Sequence, residues 1–232
     1  MTTTTTSSIT SGRLTVAAGA CAATAGAIFI AVQVGHPAND TFTTETGQWV
    51  ARSTAKMAMA ALALAGITGL YLRQHRQAGI LGLVGYLVFS IGYLAMFSVE
   101  VIAAIVLPAL VDSQPGFVND AIAAATGGTP AGDIGALQTL FNVAGVGYLF
   151  GGLLFGIALF RARVLPRWAA ALLAVSTVAT ASLAFLPDSF SRPMAVPEAV
   201  ALIGLGVALC RNPVDTTAAA TTGTGSYVPA GR

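Results

Sequence analysis

The chain has 232 residues, 55% of them hydrophobic and only 9% charged, with a formal net charge of +2 and a mean hydropathy of +0.78. Soluble domains carry about a quarter charged residues, so this composition excludes an ordinary soluble protein and implies an integral membrane one. Its two cysteines, Cys21 and Cys210, lie in separate apolar segments, which excludes a disulfide framework and a CxxC metal motif; no basic patch suited to nucleic acid is present.

The elements follow in order. Residues 1–12, with five threonines and Ser7-Ser8, are polar and low in complexity and predict a disordered tail. Arg13 precedes an apolar run over 14–34, read as an uncleaved first span, because it is longer than a signal-peptide core and no clean small-x-small site follows. Gly35-His36-Pro37 ends it. A polar loop over 38–51 contains Asp40, Glu45 and Trp49, the last suited to an interface. A second span is expected over 53–72, then a short basic loop from Arg73 to Gln77, then a third span over 79–108. Residues 112–135 form a longer acidic loop with a short helix near 117–125. A fourth span covers 136–160, and Arg161, Arg163 and Arg167 make a second basic loop, with Pro166 suited to a helix start. The fifth and sixth spans are expected over 168–186 and 194–210, joined by a Pro-containing turn at 187–193. A Thr/Ala/Gly-rich tail over 212–232 reads as disordered.

The expected fold is therefore all-α, a polytopic bundle of six transmembrane helices. Arg13, Arg73, Arg76, Arg161, Arg163, Arg167 and Arg211 flank one face, whereas only Arg52, Lys56 and Arg192 flank the other, beside most of the acids. By the positive-inside rule both termini are cytoplasmic and the location is the plasma membrane.

Glu100 is the main functional clue, because a carboxylate in or near hydrocarbon is costly and usually has a function. It lies about 30 Å along the third helix from Gly79, near the outer boundary of the hydrocarbon. The same topology brings Gln33, His36, Arg52, Lys56, Gln138, Asn142 and Glu198 to that level. The candidate is an outward-facing polar pocket in which Glu100 pairs with Lys56 or Arg52 and Gln138 and Asn142 supply hydrogen bonds. Two plainer readings stand beside it: Glu100 as a lock between helices, and polar residues reaching separately to the interface.

No metal site or cofactor is expected. His36 and His75 fall at opposite ends of their spans, too far apart to share a haem or metal ion, and His36 reads as an interfacial cap residue. Gly147-x-x-x-Gly151 and Gly152-x-x-x-Gly156 allow close helix approach, either within the chain or across a homodimer face. No Ser/His/Asp order, HExxH, P-loop or dinucleotide fingerprint occurs, which disfavours an enzyme.

The pattern resembles a family of six-helix bacterial integral membrane proteins catalogued as a domain of unknown function. The likeness spreads over residues 13–211. It is clearest at Arg13 with Gly26-Ala27-Ile28-Phe29-Ile30, at Glu100, in the run from Leu159 to Trp168 and at Pro197-Glu198. In that family an arginine often stands one turn before the third-helix glutamate; here Phe97 stands there, so Lys56 or Arg52 is the expected partner. The resemblance implies six spans and no particular activity. The leading expectation is a non-enzymatic cell-envelope protein that binds a lipid or partner in the cleft around Glu100. The alternative is a small proton-coupled transporter with Glu100 as its titrating carboxyl, and a lipid-modifying enzyme comes third.

Overall fold

The computed structural model describes residues 10–36, 45–184 and 191–213. The loop around Asp40 and nearly all of both expected tails lie outside them, as does most of the turn at 187–193. All regular structure among the described residues is helical.

Helix α1 (Ser11–Gln33) opens on Thr10, whose hydroxyl accepts the Arg13 N–H at 3.4 Å, an N-cap. Helix α2 (Thr46–Val101) has 56 residues. Were it straight, Thr68 and Tyr86 would be about 27 Å apart. Their hydroxyls instead lie 3.2 Å apart, and Tyr86 stacks on Tyr71 with ring centres at 4.6 Å. The helix folds back on itself. Two residues carry the reversal, Gln74 (φ −139°, ψ 23°) and Gly79 (φ 59°, ψ −154°), and the positive φ of Gly79 is one that a side chain would resist. The basic segment expected as a loop thus stays largely helical, and α2 is a pair of antiparallel arms, 46–73 and 80–101.

The first arm begins seven residues before the expected span. Trp49, expected at an interface, is buried instead, in a small cluster with Leu107, Val118, Ala121 and Ile122. The second arm runs on through a π-helical turn, Ile102–Val106, into α3 (Leu107–Leu110). Pro108 explains the wide turn: it has no N–H, and its ring would clash with the carbonyl of Ala104 in a regular helix. The Leu107 N–H accordingly reaches back five residues to Ile102. Helix α4 (Pro115–Ala125) occupies the long loop, and its Asp120 accepts the N–H groups of Ala131 and Gly132 at 2.8 and 2.9 Å, tying that loop down. Then come α5 (Ala136–Ala162), α6 (Arg167–Ala179) with a 3-10 extension over Thr180–Ala184, and α7 (Ser191–Arg211).

Small residues set the packing order. Gly19 and Gly26 of α1 meet Gly206 and Ala199 of α7; Gly66 and Gly69 of the first α2 arm meet Ala22 and Ala18 of α1. Gly85 and Gly92 of the second arm meet Phe155 and Gly147 of α5, while Gly152 and Gly156 face Thr177 and Ala174 of α6. In each pair, numbers rise on one helix as they fall on the other, so neighbours are antiparallel. Trp168 and Ala169 of α6 lie against Gly204 of α7, which closes the limbs into a ring. All four glycines of the expected dimer motif are buried against α2 and α6; a homodimer through this face would have to displace those helices.

Four helices are long and apolar enough to cross a membrane: Ser11–Gln33, Thr46–Leu110, Ala136–Ala162 and Pro193–Arg211. Exposure agrees with a lipid surround. Ile80, Leu83, Val84, Leu87, Ile91 and Leu94 follow one another at helical spacing along the second arm and are all exposed, a stripe that water would not tolerate on a monomer.

The glycine contacts give a direct expectation. Gly151→Val would drive a side chain into the backbone of Phe89 and should cost about 1–3 kcal/mol. Gly145→Val, on the same helix with open space before it, should be nearly neutral. Thermal unfolding of both variants in one detergent checks the difference.

Candidate binding cleft

Helix α1, both arms of α2, α5, α7 and the 3-10 extension of α6 contribute to a cleft of about 620 Å³ at the end of the bundle opposite the arginine-rich turns. Its walls come from Phe29 and Gln33 at the end of α1, Lys56 and Met59 of the first α2 arm, and Met96 and Glu100 of the second. Phe141, Asn142, Tyr148 and Leu149 of α5, Thr180 beyond α6 and Ala195 of α7 complete it, with the last residues of α4 at the mouth. Helical spacing explains the convergence. Gln33 follows Phe29 by four residues, Met59 follows Lys56 by three and Glu100 follows Met96 by four, so each pair shares one helix face.

Lys56 Nζ lies 3.6 Å from Glu100 Oε1, and the two side chains are 18% and 12% exposed. Ser53, buried one turn before Lys56, also sits beside the carboxylate. The pair is thus half-sheltered on the cleft wall. Lys56, rather than Arg52, is the partner. Arg52 turns away to donate to the carbonyls of Val32 and Gly35 at 2.8 and 2.6 Å, the acceptors that the end of α1 leaves unpaired.

The other expected residues divide. Asn142 lines the cleft and accepts from Gln138 Nε2 at 3.2 Å; Gln138 itself is half-buried and outside the lining. His36 stands edge-on to Trp49, ring centres 4.9 Å apart, away from the cleft. His75 lies at the α2 reversal, its Nδ1 2.9 Å from the Leu72 carbonyl, and no cluster of three metal-ligating side chains occurs among the described residues. Glu198 does not reach the outer level expected for it. It is fully buried one turn deeper than Ala195, and its Oε1 accepts the Tyr93 hydroxyl at 2.9 Å.

Sequence reasoning missed Tyr93 and Tyr148. Their rings are 6.3 Å apart and form the floor between the cleft, which Tyr148 lines, and Glu198. The available signal was spacing: Tyr93 precedes Glu100 by seven residues, two helical turns on the same face.

The fold and cleft define an all-helical protein, four of whose helices are apolar enough to cross a membrane, with an open amphipathic recess at one end of its bundle. Compared with known protein families, characterised proteins and solved structures, the chain matches none.

The ion pair makes a testable statement about energy. Lys56→Met leaves Glu100 sheltered without its cation and should cost about 1–3 kcal/mol, between the costs of breaking an exposed and a fully buried pair. Lys56→Met with Glu100→Gln should recover most of that loss. A double-mutant cycle on unfolding in detergent reads the coupling; additive effects would show that the two side chains do not interact.

Proposed function

We propose that the chain crosses the plasma membrane six times, with both termini cytoplasmic, and that the cleft opens outward to bind a lipid or similar lipophilic molecule without chemical conversion. The crossing count is supported by the reversal within α2 and by the length of α6. Thirteen α-helical and five 3-10 residues extend roughly 30 Å, enough to cross the hydrocarbon. The orientation is supported by Arg13, Arg73, Arg76, Arg161, Arg163, Arg167 and Arg211 at one end of the ring.

The observation that carries the binding reading is the lining itself. A volume near 620 Å³ is of the size that ligand pockets have. Phe29, Met59, Met96, Phe141 and Leu149 offer an apolar, adaptable wall, while Lys56, Glu100, Asn142 and Thr180 place polar groups where a head group would orient. A discrete lipophilic species should therefore co-purify at fixed stoichiometry when the protein is released with minimal detergent and weighed by native mass spectrometry. Gly145 also lines the cleft, with open space before it, so Gly145→Trp should fill the cleft and abolish that species while the protein stays folded. Random bulk lipid alone on the unmodified protein would remove the reading. For topology, on a background without Cys21 and Cys210, Asp133→Cys should react with an impermeant thiol reagent outside intact cells and Arg163→Cys should not.

A second reading, a small proton-coupled transporter, uses the same Glu100 and draws support from a second carboxyl, Glu198, deeper in the bundle. A pH-dependent flux in proteoliposomes that disappears in Glu100→Gln is its distinguishing result.

A further inference from the structure

Charge is uneven along the cleft. At the wall, Lys56 and Glu100 offset each other, so the pair gives an entering molecule no net preference of sign. Beneath the floor, the Glu198 carboxyl has, among the described residues, only a neutral hydroxyl as its partner. Its Oε1 accepts from Tyr93 and its Oε2 has no hydrogen-bond partner, although the residue is fully buried. A carboxyl in such surroundings carries a charge only with a cation beside it and otherwise keeps its proton, and its unpaired oxygen calls for an explanation. Arg52 is committed to the end of α1, so the described cleft and floor hold two carboxyls against one cation.

The surroundings of Glu198 suit one kind of occupant. Phe89 lies edge-on to Tyr93 at 5.0 Å, and Tyr148 stands against both rings. Aromatic faces attract organic cations and are indifferent or hostile to anions. The path is short: Ala195, one turn before Glu198 on the same face of α7, lines the cleft, and so does Tyr148. The tyrosine layer is what separates the cleft from the carboxylate.

We propose that the molecule bound in the cleft is a lipophilic organic cation, and that Glu198, reached when Tyr148 swings aside, is the counter-charge that selects it. This rests on the binding reading above and adds the sign and position of the recognised charge. An aliphatic or aromatic body fills the cleft against Phe29, Met59, Met96 and Phe141, and its positive centre lies among Tyr93, Tyr148 and the open oxygen of Glu198.

The test uses two ions of nearly the same size and shape but opposite charge, tetraphenylphosphonium and tetraphenylborate, titrated calorimetrically into the full-length protein in an uncharged detergent. The phosphonium should bind about tenfold or more tighter than the borate, the scale of one close, desolvated charge pair. Glu198→Gln keeps an acceptor for the Tyr93 hydroxyl and removes the charge, so it should erase the preference while the protein remains monodisperse. Should that variant fail to fold, Tyr93→Phe gives an independent reading: it keeps the aromatic ring but removes the donor that stabilises the Glu198 carboxylate, and should weaken the preference severalfold. Equal binding of both ions, or a preference that survives Glu198→Gln or is unchanged in Tyr93→Phe, overturns the inference and leaves the cleft as a binding site. Binding of neither ion also overturns it; if no lipophilic species co-purifies either, the binding reading falls with it.

Discussion

Backbone contact between α2 and α5 is the constraint on which the rest of this bundle depends. Lipid tails are as apolar as leucine, so helices in a membrane gain little from hiding apolar side chains and must associate through close packing. Gly92 and Gly147 supply that closeness, since a Cβ on either would meet the backbone of the other helix. The consequence for the site is immediate. The residues that follow those glycines, Tyr93 and Tyr148, are held side by side and become the floor of the cleft. Further along, Phe89 against Gly151 and Phe155 against Gly85 repeat the arrangement, so the floor has a packed column of aromatic rings beneath it. The cleft is deep only as far as this contact allows.

Around that floor, polar side chains meet the same problem in different ways. Each must find a partner inside the protein, because hydrocarbon offers none. Arg52 and Lys56 are one helical turn apart, yet they serve different neighbours. Arg52 satisfies the end of α1, and Lys56 joins the two arms of α2 through Glu100. Both roles were open to either residue on chemistry alone. Tyr93 and Glu198 solve the problem only in part, with one oxygen paired and one not.

The sequence carried the helical class and the apolar runs, because composition and depth along a helix follow directly from residue type and rise per residue. Depth arithmetic also placed Lys56, Asn142 and Gln33 near Glu100, and all three line one cleft with it. It failed for Glu198. The residue lies at the start of an apolar run, which suggested the boundary, but α7 begins at Ser191 and Glu198 sits two turns inside it, turned towards α2. Which way a helix rotates about its axis is a tertiary property, and no local pattern around Pro197-Glu198 encodes it. The basic segment at 73–77 misled for a related reason: polar composition suggested a loop, whereas two backbone torsions suffice to reverse the chain, and only Gly79 announces one of them. Trp49 read as interfacial because its indole suits that region, and it is buried because α4 folds over it, a contact set by the long loop rather than by the span.

These placements bear on whether Glu100 is a lock or part of a site. A lock gains from being sealed, with short contacts and no access; the Lys56–Glu100 pair is separated by 3.6 Å and both members retain some exposure to the cleft. The sealed contact is the deeper one, Tyr93 to Glu198 at 2.9 Å with neither side chain exposed. Yet a pair kept for stability alone would do better as two apolar side chains of similar volume, since buried charge seldom repays its desolvation, and it would not leave an acceptor unused. The outer pair has the accessibility of a recognition element and the inner carboxylate has the unmet valence of one. On the proposed reading these are two levels of a single device, a neutral rim that admits either sign of charge and a buried carboxyl that ionises only beside a cation and so retains only that sign.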